Sequence, residues 1–229
     1  MLENLDSLLE SLHSDDNRLI FLNRVYVPGN VEVADRILAL SKDSSVLEKE
    51  VNYARQNGET QRFNSLARRI IDRYLKNDFD VLLIDKVIRW GDRGIADYAI
   101  SRLGKIEEEQ PLKYAWKIAR SFGQEQIARQ LLERLLSVQM IRKDECAFSP
   151  AETCVKLGRF SEAIDLFMQA GYYFLDRALH VAKEHVPERV NEIAQIGFDI
   201  YATAFNSQEI YIECAEVLGK IDKAKKTLS

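Results

Sequence analysis

A chain of 229 residues has room for one large domain or two small ones. Its net charge is −4, and the two signs are evenly spread: residues 1–76 hold 11 basic and 12 acidic side chains, 77–140 hold 10 and 10, and 141–229 hold 11 and 14. The basic excess that phosphate neutralisation demands is missing, which counts against a nucleic-acid binder. No run of about 18 apolar residues occurs, so no membrane span is expected.

The chain begins Met1-Leu2-Glu3-Asn4-Leu5-Asp6, acidic and without a basic stretch leading into an apolar one. No ordinary signal peptide is expected. Nearly every later segment carries apolar residues at helical period, and none alternates as a strand would, so the reading is helices throughout and no sheet. A first turn falls at Gly29. The helix closing at Gly58 offers Lys49, Asn52 and Arg55, and the helix after it aligns Leu66, Ile70, Ile71 and Leu75 on one face. The helix closing at Gly91 carries Asp85 and Arg89. Glu107-Glu108-Glu109 reads as a solvated loop between helices.

The helix closing at Gly123 sets Lys113, Lys117 and Arg120 at i, i+4 and i+7, with Tyr114 beside them and no acidic residue interleaved on that face. Its successor groups Ile127, Leu131, Leu132, Leu135 and Leu136 on an apolar stripe. Leu132-Glu133-Arg134-Leu135-Leu136 fits an LxxLL docking string, but in a leucine-rich helix the core is its expected place. Ser149-Pro150 opens the next helix, which carries Lys156 and closes at Gly158.

His180 and His185 stand five apart, a poor spacing for two ligands on one helical face. Neither HExxH nor a cysteine pair accompanies them, so no metal site is expected. Phosphate-loop, nucleophile-elbow and dinucleotide signatures are missing, which leads to no cofactor and no enzyme. Tyr172, Tyr173, Phe174, Phe198, Tyr201, Phe205 and Tyr211 are assigned chiefly to joints between helices. Cys146, Cys154 and Cys214 form an odd set without CxxC and read as small core residues in a reducing, cytoplasmic compartment. The polar end, Asp222 to Ser229, reads as a capping half-hairpin or the cut edge of a longer solenoid.

The turns recur. Gly29, Gly58, Gly91, Gly123, Gly158 and Gly219 lie 29, 33, 32, 35 and 61 residues apart. Pro187, suited to the first position of a helix, divides the long gap into 29 and 32. Five of the six glycines have alanine five positions later (Ala34, Ala96, Ala128, Ala163, Ala224), and Gly58 has Phe63. Four residues before the glycines from Gly58 onward stand Ala54, Val87, Ala119, Cys154 and Ala215. Glycine ends a first helix in a left-handed conformation, and small residues let its antiparallel partner approach. One hairpin leaves an apolar face bare, so seven hairpins of about 30 to 35 residues are expected to stack.

Residues 157 to 170, with Gly158, Phe160, Ala163, Phe167 and Ala170, resemble the turn and second helix of a tetratricopeptide repeat. Gly123, Ala128, Leu132 and Leu135 fit the same pattern, as do Gly91, Ala96, Ile100 and Leu103. The resemblance implies an all-α fold, a right-handed superhelix of about seven stacked antiparallel hairpins, over residues 1–229 as a single helical-repeat domain. It also implies a protein- or peptide-binding scaffold that uses a concave face. In that pattern Lys113, Lys117 and Arg120 face the groove, with Tyr114 beside them and Lys49, Asn52, Arg55 and Arg89 on neighbouring first helices. The expected partner is another protein or an acidic peptide segment, not a nucleic acid. A helical-repeat nucleic-acid binder or enzyme stays open as the alternative.

Overall fold

The computed structural model describes residues 7, 9–12, 14–40, 45–76, 81–141, 148–201 and 208–228. Among them are fourteen α-helices, a short helical stretch at 9–11, two short 3-10 turns and no strand. The chain divides into two compact units, residues 1–103 and 104–229.

The first unit holds α1 (Asp15–Val25), α2 (Val31–Leu40), α3 (Ser45–Gln56), α4 (Thr60–Lys76), α5 (Val81–Trp90) and α6 (Arg93–Leu103). Each helix packs on the next in sequence from α1 to α4, and α6 packs on both α4 and α5. The second unit holds α7 (Glu109–Ser121), α8 (Glu125–Ile141), α9 (Phe148–Leu157), α10 (Phe160–Ala170), α11 (Leu175–His185), α12 (Val190–Tyr201), α13 (Gln208–Val217) and α14 (Ile221–Leu228). Here too each helix packs on its successor.

All seven expected turns join two helices. The six repeat glycines have φ between +66° and +98°, the left-handed region. At Gly123 the turn closes as a Schellman motif: Gln124 N–H donates to the Ala119 carbonyl at 2.9 Å and Gly123 N–H to Arg120 at 3.1 Å. Gly158 repeats it, with Arg159 N–H on Cys154 and Gly158 N–H on Val155. In both turns the small residue four before the glycine is also the carbonyl that receives the closing bond. The alanine five after the glycine makes the first backbone bond of the second helix, as Ala128 N–H does to Gln124 and Ala163 N–H to Arg159. Ala34, Ala96, Ala128, Ala163 and Ala224 are all buried. Pro187 opens a 3-10 turn leading into α12.

Polar links run from first helix to first helix and from second to second, about one repeat apart. In the first unit Arg69 reaches Asp35 at 2.9 Å, Arg102 reaches Asp72 at 3.0 Å, and Lys86 pairs with Glu48. In the second, Arg189 reaches Asp165 at 2.7 Å and Lys183 reaches Glu213 at 2.6 Å. Such pairs, half-exposed, contribute about 0–1 kcal/mol each. They set register, while apolar burial supplies the stability.

Three placements differ from the sequence reading. Ile127 is 39% exposed, because the α8 stripe runs through Ala128, Leu131, Leu132, Leu135, Leu136 and Gln139. Glu109 lies inside α7 rather than in a loop, where its carboxylate accepts from Gln139 Nε2 at 2.9 Å. Gly171, outside the repeat series, also has positive φ and precedes a 3-10 turn at Tyr172–Phe174. The LxxLL leucines are buried, as are Phe198, Tyr201 and Tyr211, while Tyr173 is exposed. Phe205 and Cys146 lie outside the described residues, and nothing is described of the Tyr172 side chain.

Candidate functional site

Helix α7 buries Pro111, Leu112, Tyr114, Ala115, Ile118 and Ala119. The opposite face therefore presents Lys113, Trp116, Lys117 and Arg120. Tyr114 belongs to the core, at 8% exposure, so it offers no ring to a partner. Trp116 is the aromatic that stands with the cations. The Arg120 guanidinium lies 5.6 Å from the centre of its ring and the Lys156 ammonium, from α9, lies 5.0 Å from it.

The Lys156 ammonium is held below its ordinary pKa. Burial is the largest cause; Glu152 opposes it, and the charges of Lys113, Arg120 and Lys117 add to it. Arg120 and Lys156, cations from two helices, thus meet over one ring. One carboxylate tempers the strip, against the expectation of an all-basic face: Glu109, one turn before Lys113, takes its ammonium at 2.5 Å. The same carboxylate joins a chain through Gln139 to Thr153, whose hydroxyl donates to Gln139 Oε1 at 2.7 Å. Gln139 and Thr153 are buried, so this chain fastens α7, α8 and α9 together beneath the cations.

An open cavity of about 520 Å³ lies among the three helices. Ala128 and Leu132, both buried, floor it together with Leu157 and Trp116. The exposed side chains Arg120, Arg129 and Lys156 stand around it, with Glu125 as its single carboxylate.

In the first unit, Lys49 lies 6.0 Å from the Tyr26 ring, Asn52 is exposed, and Arg55 donates to the Arg89 carbonyl at 3.3 Å. Arg55 also lines a cavity of about 200 Å³ with Phe63 and Trp90. Counted from the turn glycine, Arg55 matches Arg120, Thr60 matches Glu125, Phe63 matches Ala128 and Trp90 matches Leu157. The same place in the repeat is thus hollow twice. Phe63, edge-on to Trp90 with centroids 6.1 Å apart, lines the smaller first hollow, and Ala128 lines the larger second one.

Three chemistry-bearing candidates have other roles. Cys154 and Cys214 are buried free thiols, each pushed up to about 11 chiefly by burial, which makes them poor nucleophiles. His185 stacks on Phe160 at 3.7 Å. Among the described residues, no group of three or more His, Cys, Asp or Glu side chains converges to hold a metal ion, and no helix is long and apolar enough to cross a membrane.

Sequence reasoning found Lys113, Lys117 and Arg120 but passed over Trp116 and Arg129. Trp116 was findable, standing three residues after Lys113 and four before Arg120, on the same helical face. No protein-family model matches the chain, and no curated protein sequence matches it.

Proposed function

We propose that this protein is a binding scaffold, a right-handed superhelix of tetratricopeptide-like hairpins that holds an acidic segment of a partner protein against α7 and α9. The observation that carries this reading is the meeting of Arg120 from α7 and Lys156 from α9 over the Trp116 ring, with Lys113 and Lys117 on the same face of α7. Arg120, Arg129 and Lys156 around the cleft, with Lys113 and Lys117 further along the same face of α7, focus the field on an anion and raise its encounter rate. The bound carboxylates replace like-charge repulsion with attraction, so the site gains from an acidic ligand twice. The rigid chain from Glu109 to Thr153 holds the strip in place before binding, which lowers the ordering cost.

The test uses a fluorescein-labelled, end-blocked decaglutamate read by anisotropy. Binding is expected to weaken steadily with salt, since exposed charges are screened beyond about 8 Å at physiological ionic strength. Replacing Lys113, Lys117 and Arg120 together by glutamate is expected to cut affinity at least about tenfold with unchanged helical content, because the residues have similar helix propensities. Equal binding by the triple variant would sink the proposal. Tighter salt-dependent binding of a single-stranded oligonucleotide would favour the nucleic-acid alternative instead.

A further inference from the structure

We infer that the cavity beside Trp116 seats one apolar side chain of the acidic segment, so the preferred ligand is a large aliphatic residue flanked by carboxylates. This inference rests on the acidic-segment reading and adds a second determinant to it. Charge alone does not explain the site, because Ala128, Leu132, Leu157 and the Trp116 ring share its lining with the charged side chains. Such a hollow with charged surroundings discriminates by two independent terms, apolar burial inside and ion pairing around it.

The cavity has room for more than the anchor. A volume of about 520 Å³ lies within the roughly 300–1,000 Å³ of ligand sites, so it admits a large aliphatic side chain together with neighbouring atoms of the segment. The cations extend beyond the hollow, from Arg120 back to Lys113, seven residues or about 10 Å along the helix at 1.5 Å per residue. An extended chain covers that span with about three residues. A peptide with acids on both sides of its anchor therefore meets the hollow and the strip together, whereas a compact anion meets only part of it.

The repeat itself contains the counter-example. At the equivalent place in the first unit, where the larger Phe63 stands edge-on to Trp90 in the lining, the hollow is only about 200 Å³. An apolar side chain thus suits this place in the repeat. In the second unit alanine stands there, and the seat is left for a side chain from elsewhere.

The experiment titrates the full chain with three end-blocked pentapeptides: four glutamates around a central leucine, four glutamates around a central alanine, and four lysines around a central leucine. Blocked ends keep a terminal carboxylate from contributing. Binding is followed through indole N–H signals, of which the sequence allows two, from Trp90 and Trp116. The Trp116 signal is assigned with a Trp116→Phe variant. The leucine-centred acidic peptide is expected to bind about tenfold more tightly than the alanine-centred one, the scale of burying an aliphatic side chain, and to shift the Trp116 signal. Ala128→Phe, which copies Phe63, is expected to erase that preference. Equal affinity for the two acidic peptides would overturn the inference and leave the acidic-segment reading standing. Equal binding of the lysine-flanked leucine would also overturn it, since the flanking charges would then be irrelevant. If neither acidic peptide binds at any accessible concentration, the inference and the reading beneath it both fall. The peptide comparison needs no variant, so it decides the matter even where Ala128→Phe misfolds.

Discussion

Replacing Gly197 by alanine should destabilise the protein, although the general rule for a helix interior predicts the opposite. Gly197 lies inside α12, where exchanging glycine for alanine normally gains about 1 kcal/mol. A Cβ built there stands 2.7 Å from Cys214 Sγ on α13 and 3.6 Å from the Tyr201 ring. Ordinary contacts between nonbonded heavy atoms lie at about 3.5–4.0 Å, so α12 and α13 must separate by most of an ångström or the thiol must leave its rotamer. Cys214 is 1% exposed and short, which leaves it little room. Overpacking of this kind costs about 1–3 kcal/mol. Subtracting the helix gain leaves a net loss of about 0–2 kcal/mol. Urea melts of the parent, Gly197→Ala, Cys214→Ala and the double variant read the effect as a shift in midpoint. Removing Sγ should rescue the alanine, with a coupling of about 1–2 kcal/mol between the two sites. A Gly197→Ala protein more stable than its parent, with additive behaviour in the double variant, would show that the two helices do not meet there.

Two more predictions concern the repeat and the first unit. Ala163→Leu should cost about 1–3 kcal/mol in a thermal or urea melt, because Ala163 is fully buried at the start of α10 against α9; an unchanged midpoint would mean that the contact is loose. Tyr26 should make stability fall as pH rises above about 10, the ordinary phenol value: burial first, then its 2.7 Å bond to the buried Glu50, raise its folded pKa, so the unfolded chain loses this proton earlier. Tyr26→Phe should flatten that part of the stability-pH curve, and an identical slope in both proteins would refute the assignment.

Helix positions and turns were legible because each repeat writes its turn twice, once as the left-handed glycine and once as the small residues that bracket it. Both signals are local, and they act through backbone conformation and the backbone bonds that close the turn. Gly197 was illegible for the converse reason: its cause is Cys214 on the next helix, seventeen residues away. Ile127 was misassigned because a periodic stripe can be centred one residue to either side, and the small Ala128 rather than the larger Ile127 took the buried place. The cation strip was legible as i, i+4, i+7 spacing along one helix. Lys156 and Arg129 joined it through packing of α9 and α8, which no spacing within α7 encodes. The buried chain from Glu109 through Gln139 to Thr153 was hidden for the same reason, since its members are ordinary polar residues until three helices bring them together.

The break in the repeat at Phe63 connects fold to function. Five turns follow glycine with alanine, which the packing of a second helix on its first explains without any ligand. Were Phe63 only a tolerated exception, its bulk would push α4 from α3. Instead it lies at 5% exposure edge-on to Trp90, in the lining of a hollow of about 200 Å³. A large apolar side chain in that lining therefore suits the fold, and phenylalanine at Ala128 would meet Leu157 where Phe63 meets Trp90. Alanine at 128 lines an open recess together with Leu132 and Leu157, at the place where Arg120 and Lys156 meet over Trp116 and the charges of Lys113 and Lys117 also act on Lys156. Solvent-exposed apolar lining and crowded like charges are each unfavourable alone. A single acidic segment with an apolar anchor relieves both, which is why the two features are read as one site.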